Sequence, residues 1–201
     1  MSNDIWLGLG RLLYSHHSPT TARTDVCFEG YVMDRFCIVR GTLLDNPSAK
    51  TLLHPEKHSV HCLVDVGICR DSGFEILAPL SKPTADAAYC PAYRIGGTSG
   101  FADTLKLARE LGNKNAGCYT CTGNTINQGF RALFVGTVTG GATWSAAKPP
   151  VLEVSQVLQA GSKCPNGLPQ TQPPCGSAVP GTYGVCMSKL LESQLHICEW
   201  A

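Results

Sequence analysis

The stretch HPEKHSVHCLVDVGIC, from His54 to Cys69, holds three histidines and two cysteines within sixteen residues. The whole chain has only six histidines. Histidine and cysteine are ligands that suit zinc, and histidine also suits copper and iron. In a cysteine-rich exported protein, the same residues would instead be half-cystines and hydrogen-bonding partners. The stretch therefore indicates either a metal site or a disulfide region.

Proline suits the first position of a helix, and the pattern predicts a helix over residues 55–66. Four side chains would then share one helix face: His58, His61, Cys62 and Asp65. A histidine and a cysteine four positions apart could bind one ion, with Cys37 or Cys69 completing the set. The candidate metal ligands are His58, His61, Cys62 and Cys69, and the candidate cofactor is one zinc, copper or iron ion. If Cys62 and Cys69 are oxidised, however, neither can be a thiolate ligand.

Cysteines are the strongest feature of the composition. The chain has eleven, and all are candidates for disulfide bonds: Cys27, Cys37, Cys62, Cys69, Cys90, Cys118, Cys121, Cys164, Cys175, Cys186 and Cys198. Such a number is typical of secreted, extracellular or organelle-lumen proteins, so we expect one of these locations. The odd count leaves at least one cysteine free, metal-bound or paired with another chain. The spacing does not fix the connectivity.

The N-terminal segment shows no clear signal peptide. MSNDIWLGLGRLLY carries Asp4 where a leader favours positive charge, and Gly8, Gly10 and Arg11 interrupt its apolar run. No apolar run in the chain reaches about 18 residues, so no transmembrane segment is expected. The formal net charge of +1 provides no basic field for nucleic acid. The expected partner is another protein or copies of the chain itself.

Cys118 and Cys121 form a C-x-x-C motif within a loop-like sequence. A thioredoxin-like site would place this motif at a helix start, where the helix dipole lowers the pKa of the first thiol. The glycine before it and Thr-Gly-Asn-Thr after it are typical of a loop. No nucleophile elbow or paired carboxylates are present, so no catalytic residue is nominated.

The chain contains both strand-like and helical patterns, but they do not follow one another in regular strand–helix alternation. Strands are predicted at 27–33, 73–80, 130–138 and 151–158, and a helix at about 100–111 between Ser99 and Gly112. Gly30 suggests a bulge and Gly136 a bulge or a bend, and Leu152 and Val154 should face inward. Residues 81–100 are expected to be rich in loops.

These patterns predict an α+β to mainly β fold. It would be a small, disulfide-rich, partly open β-barrel or meander with helical insertions and a cysteine-pinned C-terminal extension. The predicted organisation is a lead-in at 1–25, a barrel-like domain at 26–160, and a proline- and cysteine-rich extension at 161–201 that ends in a short helix.

Two motifs carry a resemblance to a known group of proteins. They are Gly30-Tyr31-x-x-Asp34-x-x-Cys37, and His58-x-x-x-Cys62 followed by Cys69-x-x-Ser72-Gly73-Phe74. With the strand pair near 135–138 and 151–158, the chain resembles a poorly characterised group of small exported bacterial proteins with larger eukaryotic relatives. The likeness covers about residues 26–158. It implies export and a compact β-barrel-like core, and it implies no activity. The C-x-x-C loop and the C-terminal extension depart from the short bacterial pattern.

Three functions remain open. The first is a secreted or luminal, disulfide-stabilised protein that acts by binding or assembly, without catalysis. The second is a metal-binding protein or metalloenzyme that uses His58, His61 and Cys62. The third is a thiol–disulfide redox protein that uses Cys118 and Cys121.

Overall fold

The computed structural model describes residues 24–116, 129–139 and 144–175. Its strands are β1 Thr24–Asp34, β2 Phe74–Pro79, β3 Tyr89–Gly96, β4 Phe130–Val138 and β5 Val151–Gln159. Its helices are α1 Arg35–Arg40, α2 Val60–Val64, α3 Gly67–Arg70 and α4 Thr98–Ala116, with 3₁₀ turns at Pro55–Lys57 and Pro165–Gly167. Within these described ranges, no helix is long and apolar enough to cross a membrane.

The five strands form one mixed sheet in the order β1-β2-β3-β5-β4. β1 pairs with β4 over nine residues and with β2 over its last four, so β4 and β2 flank the same long strand. β3 pairs with β5 in parallel, whereas the other pairs are antiparallel. Each strand therefore has two hydrogen-bonded neighbours. The mixed sheet with helices agrees with the α+β class, and the parallel pair departs from a simple meander.

The four predicted strands are present near their predicted positions, and Leu152 and Val154 are buried as expected. β3 was missed because Pro91 lacks the N–H that a strand interior uses. It lies opposite Leu77, beside a shift of register where a missing donor is tolerated. The helix α4 begins before the predicted residue 100 and continues past Gly112.

The predicted helix over 55–66 is wrong. A 3₁₀ turn covers Pro55–Lys57, the chain is extended at His58, and α2 begins only at Val60. The helix restarts because the Ser59 hydroxyl accepts a hydrogen bond from the Cys62 amide at 3.0 Å, which is an N-cap. The predicted common face of His58, His61, Cys62 and Asp65 therefore does not form.

The sheet buries different residues on its two faces. The larger core includes Val32 of β1 and Ile76 of β2. Their neighbours Met33 and Leu77 belong to a second apolar cluster, which also contains Cys37, Cys62 and Cys69. Since successive strand residues face opposite sides, α1, α2 and α3 bring these cysteines to the face of β1 and β2 opposite the larger core.

Two glycines permit close approach between strands. A Cβ at Gly30 would clash with the backbone oxygen of Leu77, and one at Gly136 would clash with that of Glu153. The register shifts between Val135 and Gly136, in agreement with the irregularity predicted at Gly136. β1 keeps a regular register with β4 through Gly30, so the bulge predicted there is wrong. Both positions need glycine for space.

Two disulfides attach the segment that follows the sheet. Cys27 of β1 is bonded to Cys164, and Cys90 of β3 is bonded to Cys175. Thr171 adds two hydrogen bonds to the backbone of Cys27, at 2.7 and 3.1 Å. The expectation that Cys164 and Cys175 pin an irregular segment is confirmed.

Candidate metal centre

Three thiols and one carboxylate converge in the second apolar cluster. Their residues are Asp34, Cys37, Cys62 and Cys69, and each offers one potential ligand atom within 4.8 Å of the others. All four residues are fully buried. Because burying unpaired anionic groups is costly, this arrangement requires either protonated thiols or a compensating cation.

Asp34 and Cys37 are brought together by a helix cap. Asp34 ends β1 and is the N-cap of α1, and its Oδ1 accepts a hydrogen bond from the Cys37 amide at 2.8 Å. This contact satisfies one of the backbone amides that a helix start leaves without a partner. The Cys37 carbonyl accepts a hydrogen bond from the Thr51 hydroxyl at 2.8 Å. The backbone of Cys37 is thus fixed on both sides.

Cys62 and Cys69 come from consecutive short helices. Cys62 lies in α2, and Cys69 is the buried residue of the four-residue α3. Their Sγ atoms lie 2.9 Å apart. The two residues face each other across the turn that joins α2 to α3.

A serine connects α1 to α3. The Ser72 hydroxyl donates to the Cys69 carbonyl at 2.7 Å and accepts from the Phe36 amide at 3.0 Å. The Arg35 amide also donates to the Gly73 carbonyl at 3.0 Å. These bonds explain how Cys37 and Cys69, 32 positions apart in sequence, meet in one cluster.

His58 lies beside the carboxylate and is 1% exposed. Its Nε2 is 3.0 Å from Asp34 Oδ2, which makes a buried ion pair. Among the described residues, neither atom has a well-aligned hydrogen bond, and His58 Nδ1 has none either. Burial alone would lower the pKa of His58, but Asp34 and Cys37 outweigh it and raise the pKa to about 9. Burial opposes ionisation of Asp34, and His58 reverses this, so the pKa of Asp34 falls below its ordinary value.

The thiols of Cys62 and Cys69 differ in pKa. Contacts with Cys37 and Cys69 raise the pKa of Cys62, whereas contacts with Cys37 and Cys62 lower the pKa of Cys69. Cys69 is therefore the thiol of this pair that ionises first, because its neighbours donate hydrogen bonds to its thiolate.

The sulfur separation can be compared with a metal site. Zn–S bonds of about 2.3 Å at tetrahedral angles place two sulfur ligands about 3.8 Å apart. The 2.9 Å between the sulfurs of Cys62 and Cys69 is shorter, and the four ligand atoms span up to 4.8 Å. Small side-chain adjustments would therefore allow the four groups to surround one ion.

Only two of the four predicted ligands belong to the cluster. Cys62 and Cys69 belong to the four-residue cluster, and His58 contacts its carboxylate. His61 is not part of it: its Nδ1 lies 2.9 Å from Asp65 Oδ2, and its side chain is 32% exposed. A second set, Asp45, His58 and Cys62, also has ligand atoms within 4.8 Å, but Asp45 is exposed and accepts a hydrogen bond from the Ser59 amide.

The candidate half-cystines fall into three groups. Four are paired as described above, and Cys37, Cys62 and Cys69 are free thiols. The other four lie outside the described residues: Cys118, Cys121, Cys186 and Cys198. The redox hypothesis for the C-x-x-C motif therefore stays a prediction.

Sequence reasoning missed Asp34 as a potential ligand. The available signal was its spacing, since an aspartate three residues before Cys37 is at the distance of a helix cap. The motif Gly-Tyr-x-x-Asp-x-x-Cys contains this aspartate but does not by itself indicate a ligand.

No family model matches the chain, and neither a curated protein nor a solved structure matches it. The resemblance to small exported bacterial proteins therefore stays a prediction.

Proposed function

We propose that the chain is an exported, disulfide-stabilised protein that binds one zinc ion through Asp34, Cys37, Cys62 and Cys69. The observation that carries the proposal is the convergence of four potential ligand atoms, all from fully buried residues, within 4.8 Å. Three thiolates and a carboxylate would bring four negative charges, against one positive charge on His58. A divalent cation would compensate most of this charge in a fully buried site.

Zinc is favoured by the chemistry of the ligands. Thiolates select zinc or copper(I) over magnesium, calcium and manganese, and a carboxylate oxygen is acceptable to zinc. Four protein ligands would close the coordination sphere and leave no open position for substrate. We therefore propose that the ion has a structural role and that the protein has no catalytic activity.

His58 would act on the metal through Asp34. A ligating carboxylate is commonly held by an outer hydrogen-bonding partner, and such a partner typically changes metal affinity by about 10–100-fold. The 3.0 Å ion-pair contact between His58 Nε2 and Asp34 Oδ2 supports this role through charge.

Export to an oxidising compartment is supported by the two disulfides. The ring of strand pairings supports a small β-barrel as the scaffold. Binding of another protein, or of further copies of the chain, is also proposed, on the sequence argument alone.

The test is metal binding by the full chain with the Cys27–Cys164 and Cys90–Cys175 disulfides intact and with Cys37, Cys62 and Cys69 reduced. We expect one zinc ion per chain by elemental mass spectrometry. Cobalt(II), used as a spectroscopic probe, should give thiolate-to-metal charge-transfer absorption. Substituting Cys37→Ser or Cys62→Ser should weaken zinc binding by more than the roughly 10–100-fold expected for an outer partner.

His61→Ala is the matched control. His61 directly precedes Cys62 but pairs with Asp65, so this variant should bind zinc like the unmodified chain. If the reduced chain binds no zinc or cobalt, the proposed function is wrong. If His61→Ala weakens binding as much as Cys37→Ser, the proposed ligand set is wrong. A preference for copper(I) would keep the site and change the ion.

A further inference from the structure

We propose that Cys62 and Cys69 form a redox switch that releases the metal, an inference that rests on the proposed zinc site. In the reduced state both sulfurs would bind the ion. A small-molecule disulfide such as oxidised glutathione would convert them to a disulfide bond, and the site would lose two of its four ligands.

The distance between these two sulfurs lies between that of a disulfide bond and that of two sulfur ligands on one zinc ion. The Sγ atoms are 2.9 Å apart. A disulfide requires about 2.05 Å, and two sulfur ligands of one tetrahedral zinc ion lie about 3.8 Å apart. Each state therefore requires the sulfurs to move by less than about 1 Å relative to the observed separation. Seven positions separate the two residues, so both states fit a short local connection.

The elements that hold the thiols favour this pair over one that includes Cys37. The backbone of Cys37 is held by two side chains, the Asp34 carboxylate and the Thr51 hydroxyl. The backbones of Cys62 and Cys69 are each held by a single serine hydroxyl. Cys69 lies in a helix of only four residues, in which it alone is buried and Ile68 is 55% exposed. Local opening of α3 would therefore expose Cys69 without disturbing the sheet.

The chemistry balances in two exchange steps. The Cys69 thiolate attacks one sulfur of the small disulfide, forms a mixed disulfide and displaces one small thiolate. The Cys62 thiolate then attacks the Cys69 sulfur and displaces the second small thiolate. Two protons convert the displaced thiolates to thiols. The protein sulfurs lose two electrons in total, the small disulfide gains them, and zinc leaves with its charge unchanged.

Metal and oxidation should oppose each other by mass action. A metal that binds only the dithiol form stabilises that form against oxidation. This matters because the described residues include the Cys27–Cys164 and Cys90–Cys175 disulfides, and conditions that keep those bonds would also oxidise an unprotected thiol pair. Zinc would then decide whether Cys62 and Cys69 remain thiols.

The test uses the full chain loaded with zinc and treated with oxidised glutathione. Zinc release is followed with a chromogenic chelator, and disulfides are mapped by mass spectrometry of peptides. We expect one zinc released for each Cys62–Cys69 disulfide formed. With free zinc at about 100 times its Kd, oxidation should slow by about 100-fold, because the metal-free fraction falls by that factor.

Cys37→Ser provides a variant in which the pair is intact but the metal site is weakened. Its Cys62–Cys69 disulfide should form faster than in the zinc-loaded parent, and added zinc should protect it less. The inference is overturned if zinc leaves while both cysteines remain thiols, if Cys37 enters the disulfide, or if zinc does not change the oxidation rate. Absence of zinc from the reduced chain, measured before any oxidant is added, would instead overturn the proposed function and remove the basis of the switch.

Discussion

Asp34 combines three tasks at the scale of a single residue. One oxygen caps α1 through the Cys37 amide, the other pairs with His58, and the carboxylate is within reach of the thiols. Charge and hydrogen bonding can be separated here, because asparagine caps a helix about as well as aspartate but carries no charge.

Asp34→Asn should keep the cap and lose the ion pair with His58. We expect the metal-free chain to lose about 1–3 kcal/mol of unfolding free energy, as for other buried polar groups that lose a partner. Asp34→Ala should lose about 1 kcal/mol more, because the cap is also removed. Urea denaturation of chelator-treated protein measures both. Equal stabilities of the two variants would show that the cap contributes nothing.

The sequence predicted part of this site. It named Cys62 and Cys69 as ligands and Cys37 as a residue that could complete the set, and it named His58 as a ligand, whereas His58 contacts the carboxylate of Asp34. It also selected His61, because a continuous helix would have aligned that residue with His58. It could not show that Ser59 restarts the helix, or that Ser72 brings α1 against α3, since both depend on contacts that form only in the folded chain.

At the scale of elements, β1 separates the thiol cluster from the larger core, because its successive residues face opposite sides of the sheet. Met33 belongs to the cluster that contains the thiols, whereas its neighbour Val32 belongs to the larger core. β1 can pair with a strand on each edge only if β1 and β2 approach closely at Gly30. A side chain at this position would clash with the backbone oxygen of Leu77.

Gly30→Ala should therefore destabilise the fold by about 1–3 kcal/mol through overpacking. Gly67→Ala is the matched control, since a Cβ there would make only an ordinary contact, 3.7 Å from Asp71 Oδ2. That variant should be neutral or slightly stabilising, because alanine favours helices over glycine. Thermal unfolding followed by circular dichroism compares the two. A loss at Gly67→Ala as large as that at Gly30→Ala would contradict the packing argument.

Strand prediction succeeded where apolar residues dominate and no proline lies in the interior of the strand. β4 matches its predicted bounds of 130–138, and β5 differs from its prediction by one residue. β3 was missed because Pro91 normally argues against a strand, and its tolerance depends on the register shift in the neighbouring β2. Local patterns cannot reveal such compensation by a partner strand.

At the scale of the whole molecule, two disulfides bind the last described segment to the sheet. Cys27 and Cys164 are separated by 137 positions, so their bond strongly restricts the unfolded chain. The sequence indicated that Cys164 would be held, but it left its partner open among the other cysteines.

Replacing Cys27 and Cys164 together by serine should lower the unfolding free energy by about 2–5 kcal/mol. Zinc stoichiometry should remain unchanged, because neither residue belongs to the thiol cluster. Guanidinium denaturation and elemental analysis of the double variant give the two values. A loss of zinc with the fold intact would show that this disulfide supports the proposed metal site directly.

The disulfide between Cys27 and Cys164 would also hold the protein together if the backbone between these two residues were cut. Nearly the whole sheet lies between these two cysteines, including β2, β3, β4 and β5. A protease that cuts once between them leaves two fragments that are still one covalent molecule. Such a nicked protein would keep its mass under non-reducing conditions and separate into fragments only after reduction.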